Sequence, residues 1–216
     1  MSEIFNSRQI VKIHGTNKLL ELNDHLSVNL YQQTEESAKM KLVPGLHSCY
    51  SKIEAAAVDY SKGTGNGNSI TVKHNLDPNT AHILADKIIQ NDIAFFQQQN
   101  GKTIGFSEEK LLYKERENGK YAVSRFNLSY QINMTNKWKL TLEEGEAERE
   151  DGPNGNKIIK KGTYTSLNKV DIYTNDINIL KVAVALKNHL TYWETINFNS
   201  YIKARTSYET SRKVTE

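Results

Sequence analysis

The chain has 216 residues, 38% hydrophobic and 25% charged, with a formal net charge of +3. That length fits one domain of good size or two small ones, and apolar residues at regular spacing argue against a disordered chain. The mild basic excess permits an anionic polymer as partner without requiring one, and a single cysteine, Cys49, excludes an intrachain disulfide and a thiolate metal cluster.

The opening "MSEIFNSRQIVKIHG" has no basic segment followed by an apolar core, so it does not read as a secretory signal. No apolar run reaches membrane-spanning length, and the expectation is a cytoplasmic protein without a membrane partner. Residues 1–18 read as an N-terminal arm. The abundance of Asn, Lys, Ile and Tyr fits an AT-rich phage, plasmid or bacterial genome. In "HLSVNLYQ" (25–32), Leu26, Val28 and Leu30 alternate with polar residues, as in a half-buried strand. "KMKLV" (39–43) is a second short strand. "CYSKIEAAAVDYS" and "SITVKHN" are two more, and Gly63, Gly65 and Gly67 lie between them. A phosphate loop would need a helix directly after its glycines. Here a strand follows instead, and there is no Gly-Lys-Ser/Thr ending, so the stretch predicts a hairpin loop flanked by Lys62 and Lys73.

The first helix begins at Asp77, an N-cap residue, with Pro78 in the first helical position. Ala81, Leu84, Ile88 and Phe95 form its apolar stripe, widened by Ala85, Ile89 and Phe96. Asn100-Gly101 predicts its end near Gln99.

The second half repeats the order. "KLLYKER" leads into the turn signal Asn118-Gly119. "YAVSRFNLSYQI" sets Phe126, Leu128, Tyr130 and Ile132 inward, with Arg125, Asn127, Ser129 and Gln131 opposite. "KWKLTLE" sets Trp138, Leu140 and Leu142 inward, with Lys137, Lys139 and Thr141 outward. "REDGPNGNK" is a turn, and "KIIKKGTYTS" and "NKVDIYT" are strands. A second helix starts at Asp176, as its cap, with Ile179, Ala183, Leu186, Leu190 and Trp193 on one face. It frays after Thr195 into a flexible polar tail, 197–216.

Strands in runs, each run closed by a helix, define an α+β fold with antiparallel sheets. The expectation is one domain, 19–196, made of two pseudo-duplicated sheet-plus-helix halves, 19–100 and 101–196.

Catalytic patterns are absent. The sequence has no His-Glu-x-x-His, Cys-x-x-Cys or Gly-x-Ser-x-Gly, and its six histidines are scattered. The acidic run Glu143 to Asp151 reads as a solvated hairpin end. A non-enzyme without metal or cofactor is expected. The functional signal is distributed. Lys114, Arg116, Lys120, Arg125, Lys137, Lys139, Lys160 and Lys161 lie on or beside strands, with Tyr113, Tyr121 and Tyr164 among them. Cations that track phosphates and rings that stack on unpaired bases are the two parts of a single-strand binding surface. The competing reading is a solvated sheet whose lysines keep its edges unpaired.

Several strands and then a helix, given twice over roughly residues 19 to 195, resembles the Whirly-type single-stranded DNA-binding proteins and the positive transcription coactivator type. The resemblance is one of element order. The lysine-glycine-lysine-alanine stretch associated with plant Whirly proteins is absent here, and no family residue carries over. The resemblance implies two sheets packed by helices, and single-stranded DNA held across strands with little sequence preference. It also implies homo-oligomers assembled through the helices. Single-stranded DNA, ahead of RNA, is the expected partner, in replication, recombination or mobile-element maintenance. A protein-interaction module that recruits its partner by strand addition is the alternative.

Overall fold

Two antiparallel meanders, each running into a helix, build the molecule. The computed structural model describes residues 8–28, 46–47, 50–63, 69–97, 105–116, 118–153 and 156–215, and the side chains of residues 113, 114, 208 and 211–215 lie outside that description. The first sheet takes β1 (Gln9–Gly15), β2 (Lys18–His25), β3 (Lys52–Asp59) and β4 (Ile70–Leu76) in the order β1-β2-β3-β4. Helix α1 (Pro78–Ile89) and the single turn α2 (Ile93–Phe96) follow. The second sheet takes β5 (Phe106–Glu115), β6 (Tyr121–Tyr130), β7 (Trp138–Ala147) and β10 (Thr165–Thr174) in the order β10-β7-β6-β5. A small hairpin, β8 (Arg149–Asp151) with β9 (Lys157–Ile159), is inserted between β7 and β10, and α3 (Asp176–Thr215) ends the chain.

The period-two alternation does what the sequence predicts in the second sheet. Phe126, Leu128, Trp138, Leu140, Leu142, Val170 and Ile172 are buried. They meet Leu20, Leu22, Ile53, Ala55, Ala57, Val72 and Leu76 of the first sheet in one apolar cluster. Ala81, Leu84, Ala85 and Ile88 of α1 complete it with Ile179, Val182, Ala183, Leu186 and Leu190 of α3. The two halves therefore share a single core. A polar chain also joins the sheets: Ser124 Oγ lies 3.1 Å from His74 Nδ1, and His74 Nε2 lies 3.4 Å from Glu108 Oε2. Ser124 and His74 are both buried, so this chain pins β4 to β5 and β6 and presents no nucleophile to solvent.

Several expectations are corrected. The stretch expected as an arm carries β1, whose Ile13 pairs with Leu20 across a turn at Asn17, φ 55°. Burying Ile13 with Val11 and Ile10 against the core holds it in the sheet. The strand expected over 25–32 is displaced: β2 ends at His25 and residues 26–28 are not strand. Leu30, residues 39–43, Cys49, Gly65 and Gly67 lie outside the described residues. The first helix stops at Ile89, not near Gln99. Asn91 takes a left-handed φ of 56°, and the Asp92 carboxylate accepts from Phe95 N–H and starts α2. This break lets Phe96 drop fully into the core, edge-on to Trp138 at 5.0 Å.

Ile132, expected inside, is 63% exposed, because β6 ends at Tyr130 and Gln131 N–H donates to Lys137 C=O across a turn. Asp77 caps α1 as expected, accepting from Asn79 and Thr80 N–H. The cap of α3 is Asn175, which accepts from Asn178 N–H, while the Asp176 carboxylate accepts from the Trp138 indole. Finally, α3 does not fray at Thr195 but continues through the polar 197–215 segment.

Candidate nucleic-acid interface

The helices cover one face of the second sheet. On the other face, β6 presents Arg125 and Asn127, β7 presents Glu143, and β10 presents Asp171 and Tyr173, because their neighbours Phe126, Leu128, Leu142, Val170 and Ile172 point inward; Ser129 and Thr141 share this face but are buried. Lys139 shares this outer face and stands opposite Tyr173, and its Nζ lies 5.5 Å from that ring's centroid. The Arg125 guanidinium lies 3.3 Å from the Tyr164 ring centroid.

Tyr164 is seated by a glycine. A Cβ on Gly145 would stand 2.7 Å from the Tyr164 ring and 2.3 Å from Thr165 C=O, so the ring occupies the space a side chain would take. Tyr164 Oη donates to Glu143 at 2.9 Å. Burial and this bond to a carboxylate push the phenol up to about 12. Tyr164 thus belongs to a packed unit, with Arg125 laid over the ring.

The cations are paired across strands. Arg125 stands opposite Glu109 of β5 and Glu143 of β7, and it donates to Glu109. Lys139 pairs with Asp171 at 3.3 Å. Burial opposes charge on both partners but is outweighed. The Thr141 hydroxyl, Lys139 and Lys169 hold the Asp171 carboxyl below its usual range, and Asp171 raises Lys139. These carboxylates escape a reading of the sequence because only the strand register brings Glu109 and Asp171 beside their cations.

Among the other expected site residues, Arg116 and Lys120 cluster around Glu146, at 4.0 and 3.3 Å. Asn118 and these two cations hold that carboxyl low. Lys160 pairs with Glu148 at 2.6 Å. Lys161 is exposed, and Lys137 lies 5.8 Å from the Tyr130 ring. Tyr121 is corrected as a stacking ring: only 7% exposed, it donates to Glu115 and carries Arg149 at 4.0 Å over its face. The side chains of Tyr113 and Lys114 lie outside the described residues. Tyr173, by contrast, is 39% exposed beside Lys139.

Among the described residues no group of three or more His, Cys, Asp or Glu side chains is arranged to hold a metal ion. No described helix is long and apolar enough to cross a membrane.

No protein-family model matches the chain, and no curated protein matches it in sequence. In structure, the chain is similar to a solved one, the plant transcriptional regulator PBF-2, over 91% of this chain and 96% of that chain, at 8% identity and a TM-score of 0.46.

Proposed function

We propose that this chain binds single-stranded nucleic acid, DNA ahead of RNA, without catalysis and with little sequence preference. The observation that carries this reading is the pairing of cation and ring on the outer face of the second sheet, Arg125 over Tyr164 and Lys139 beside Tyr173. A phosphate needs a cation, and an unpaired base needs a flat surface. The face supplies both at the spacing of adjacent strands. Arg125 and Tyr164 form one stack that an unpaired base would extend. Glu109 and Asp171 hold the cations in the absence of a strand, and phosphates exchange for them on binding. That exchange predicts moderate affinity with marked salt dependence. Lys137 and Lys161 extend the cationic track. A surface of this kind suits replication, recombination or mobile-element maintenance.

The test is fluorescence anisotropy with a labelled strand of about 30 nucleotides, longer than the roughly 4–16-nucleotide footprint usual for one binding fold. Its duplex and an RNA copy are run beside it at low and high salt. Salt-sensitive binding that prefers the single strand is expected. No binding at low salt overturns the reading.

A second feature favours self-association. Leu190 is the last buried residue of α3, and beyond it no described residue of the helix is buried. Ile177, Leu180 and Val184 form an exposed apolar stripe opposite the core stripe, and Tyr192, Ile196, Phe198 and Ile202 are exposed apolar residues beyond it. An unpacked helical stretch is marginal in water. A second copy's α3 would bury this stripe and give the chain a homo-oligomer. Light scattering is expected to report more than one copy, and Leu180→Glu with Val184→Glu is expected to give a monomer. A wild-type monomer at micromolar concentration overturns this.

A further inference from the structure

At the corner where the two sheets meet, the β1–β2 turn faces the junction of β10 and α3 across a cleft of about 540 Å³. His14, Thr16 and Lys18 line one side, and Asn136, Tyr173 and Asn178 line the other. The charges in its wall are already satisfied. Lys18 Nζ lies 2.9 Å from Asp171 C=O and 3.4 Å from the Asp59 carboxylate, while the Asp171 carboxylate is held by Thr141 and Lys139. A free phosphate or a metal ion would find no uncompensated charge in that pair. What remains besides His14 is directional. The side-chain amides of Asn136 and Asn178 have no hydrogen-bond partner among the described residues, and each offers a donor and an acceptor. The Tyr173 ring gives a flat wall, and the same ring stands beside Lys139 on the sheet face, so the cleft opens onto that face.

We infer that this cleft takes one unpaired base, splayed from a strand whose phosphates lie on Lys139 and Arg125. The inference rests on the reading of the sheet face as a single-strand surface. A nucleobase is flat, uncharged and edged with donors and acceptors, which is what the cleft's wall complements. Asparagine pairs bidentately with the N6 and N7 edge of adenine, so adenine is the favoured occupant. A surface with little preference along most of its length thereby acquires one position that reads its base.

The experiment combines strand binding with a mononucleotide. dAMP is expected to shift the amide resonances of Asn136, Tyr173 and Asn178. Asn136→Ala with Asn178→Ala is expected to abolish those shifts and to weaken binding of an adenine-containing strand by roughly 10-fold. Because the amides are uncharged, the slope of affinity against salt stays unchanged in that variant, whereas phosphate contacts would alter it. A strand with one abasic position should match the variant's loss. If the variant binds strands as the wild type does and dAMP shifts nothing, the cleft inference falls and the sheet surface stands. If no strand binds the wild type, the surface reading falls and the cleft inference with it.

Discussion

The two sheets are built to one plan and finished differently. Both are four-stranded antiparallel meanders that run into a capped helix, and they share one core. The strands of the first sheet contain no Phe, Trp or Tyr; the second sheet carries Phe106, Tyr121, Phe126, Tyr130, Trp138 and Tyr173. The outer face of the first holds aliphatic ion pairs, Lys12 with Glu21 at 3.7 Å and Lys73 with Glu54 at 2.9 Å. The outer face of the second holds cations against rings. The same cross-strand charge pairing serves both, so charge alone does not distinguish a solvated sheet from a binding sheet. The rings beside the cations are what set the second sheet apart from the first.

Substitution in the shared core should cost most. Phe96→Ala removes a fully buried ring from the joint between α2 and β7, and the expected loss is about 3–5 kcal/mol in denaturant unfolding. Glycines sharpen the contrast between the sheets next. Gly145→Ala forces a Cβ into Tyr164 and Thr165, with an expected cost of about 1–3 kcal/mol, whereas Gly15→Ala in the first sheet meets nothing nearer than 3.8 Å. The latter should stay within about 0.5 kcal/mol of the wild type in the same assay. Equal losses at both positions would remove the special status of the Tyr164 seat.

The functional contrast is then read by salt titration. Arg125→Ala with Lys139→Ala should weaken strand binding and reduce the salt slope by roughly 1.4, at about 0.7 for each phosphate contact. Lys12→Ala with Lys73→Ala should leave both unchanged. If the first-sheet pair matters as much, the strand runs elsewhere.

The smallest effect concerns acid. Glu108, joined to His74 and Lys110, is held below 4.5, the usual value for Glu: burial opposes the charge, but its bonds to His74 and Lys110 outweigh it. Asp171 is likewise held below 3.8. A carboxyl whose folded value is depressed binds its proton more tightly when unfolded. The stability it adds is therefore present above the unfolded value, declines as the pH falls through that range, and is gone below the folded value. Melting temperature should drop across this acid window, and Glu108→Gln should flatten the profile. An unchanged profile would show that the joint between the sheets does not depend on the charge.

Much of this was legible in the chain. The alternation of Phe126 and Leu128, and of Trp138, Leu140 and Leu142, placed the inner face of the second sheet correctly, because burial of alternate side chains is a local rule. Asp77-Pro78 marked the start of α1 for the same reason. The break at Asn91 was not legible, since a single left-handed residue ends a helix whose apolar spacing runs on through Phe95 and Phe96. β1 was missed because its apolar residues gain their partners only when Leu20 folds beside Ile13.

The candidate site divides in the same way. The sequence by itself determined that Tyr121, Arg125 and Lys139 alternate with the core-facing residues of β6 and β7 in an α+β fold, because the pleat sends every second side chain to one face. Only the tertiary structure decided which of them stand free. Strand register set Glu109 against Arg125 and Asp171 beside Lys139. Burial took Tyr121 out of reach, Gly145 made room for Tyr164, and the meeting of two distant turns opened the cleft beside Tyr173. Register and burial depend on partners far apart in the chain, and no local pattern of residues encodes them.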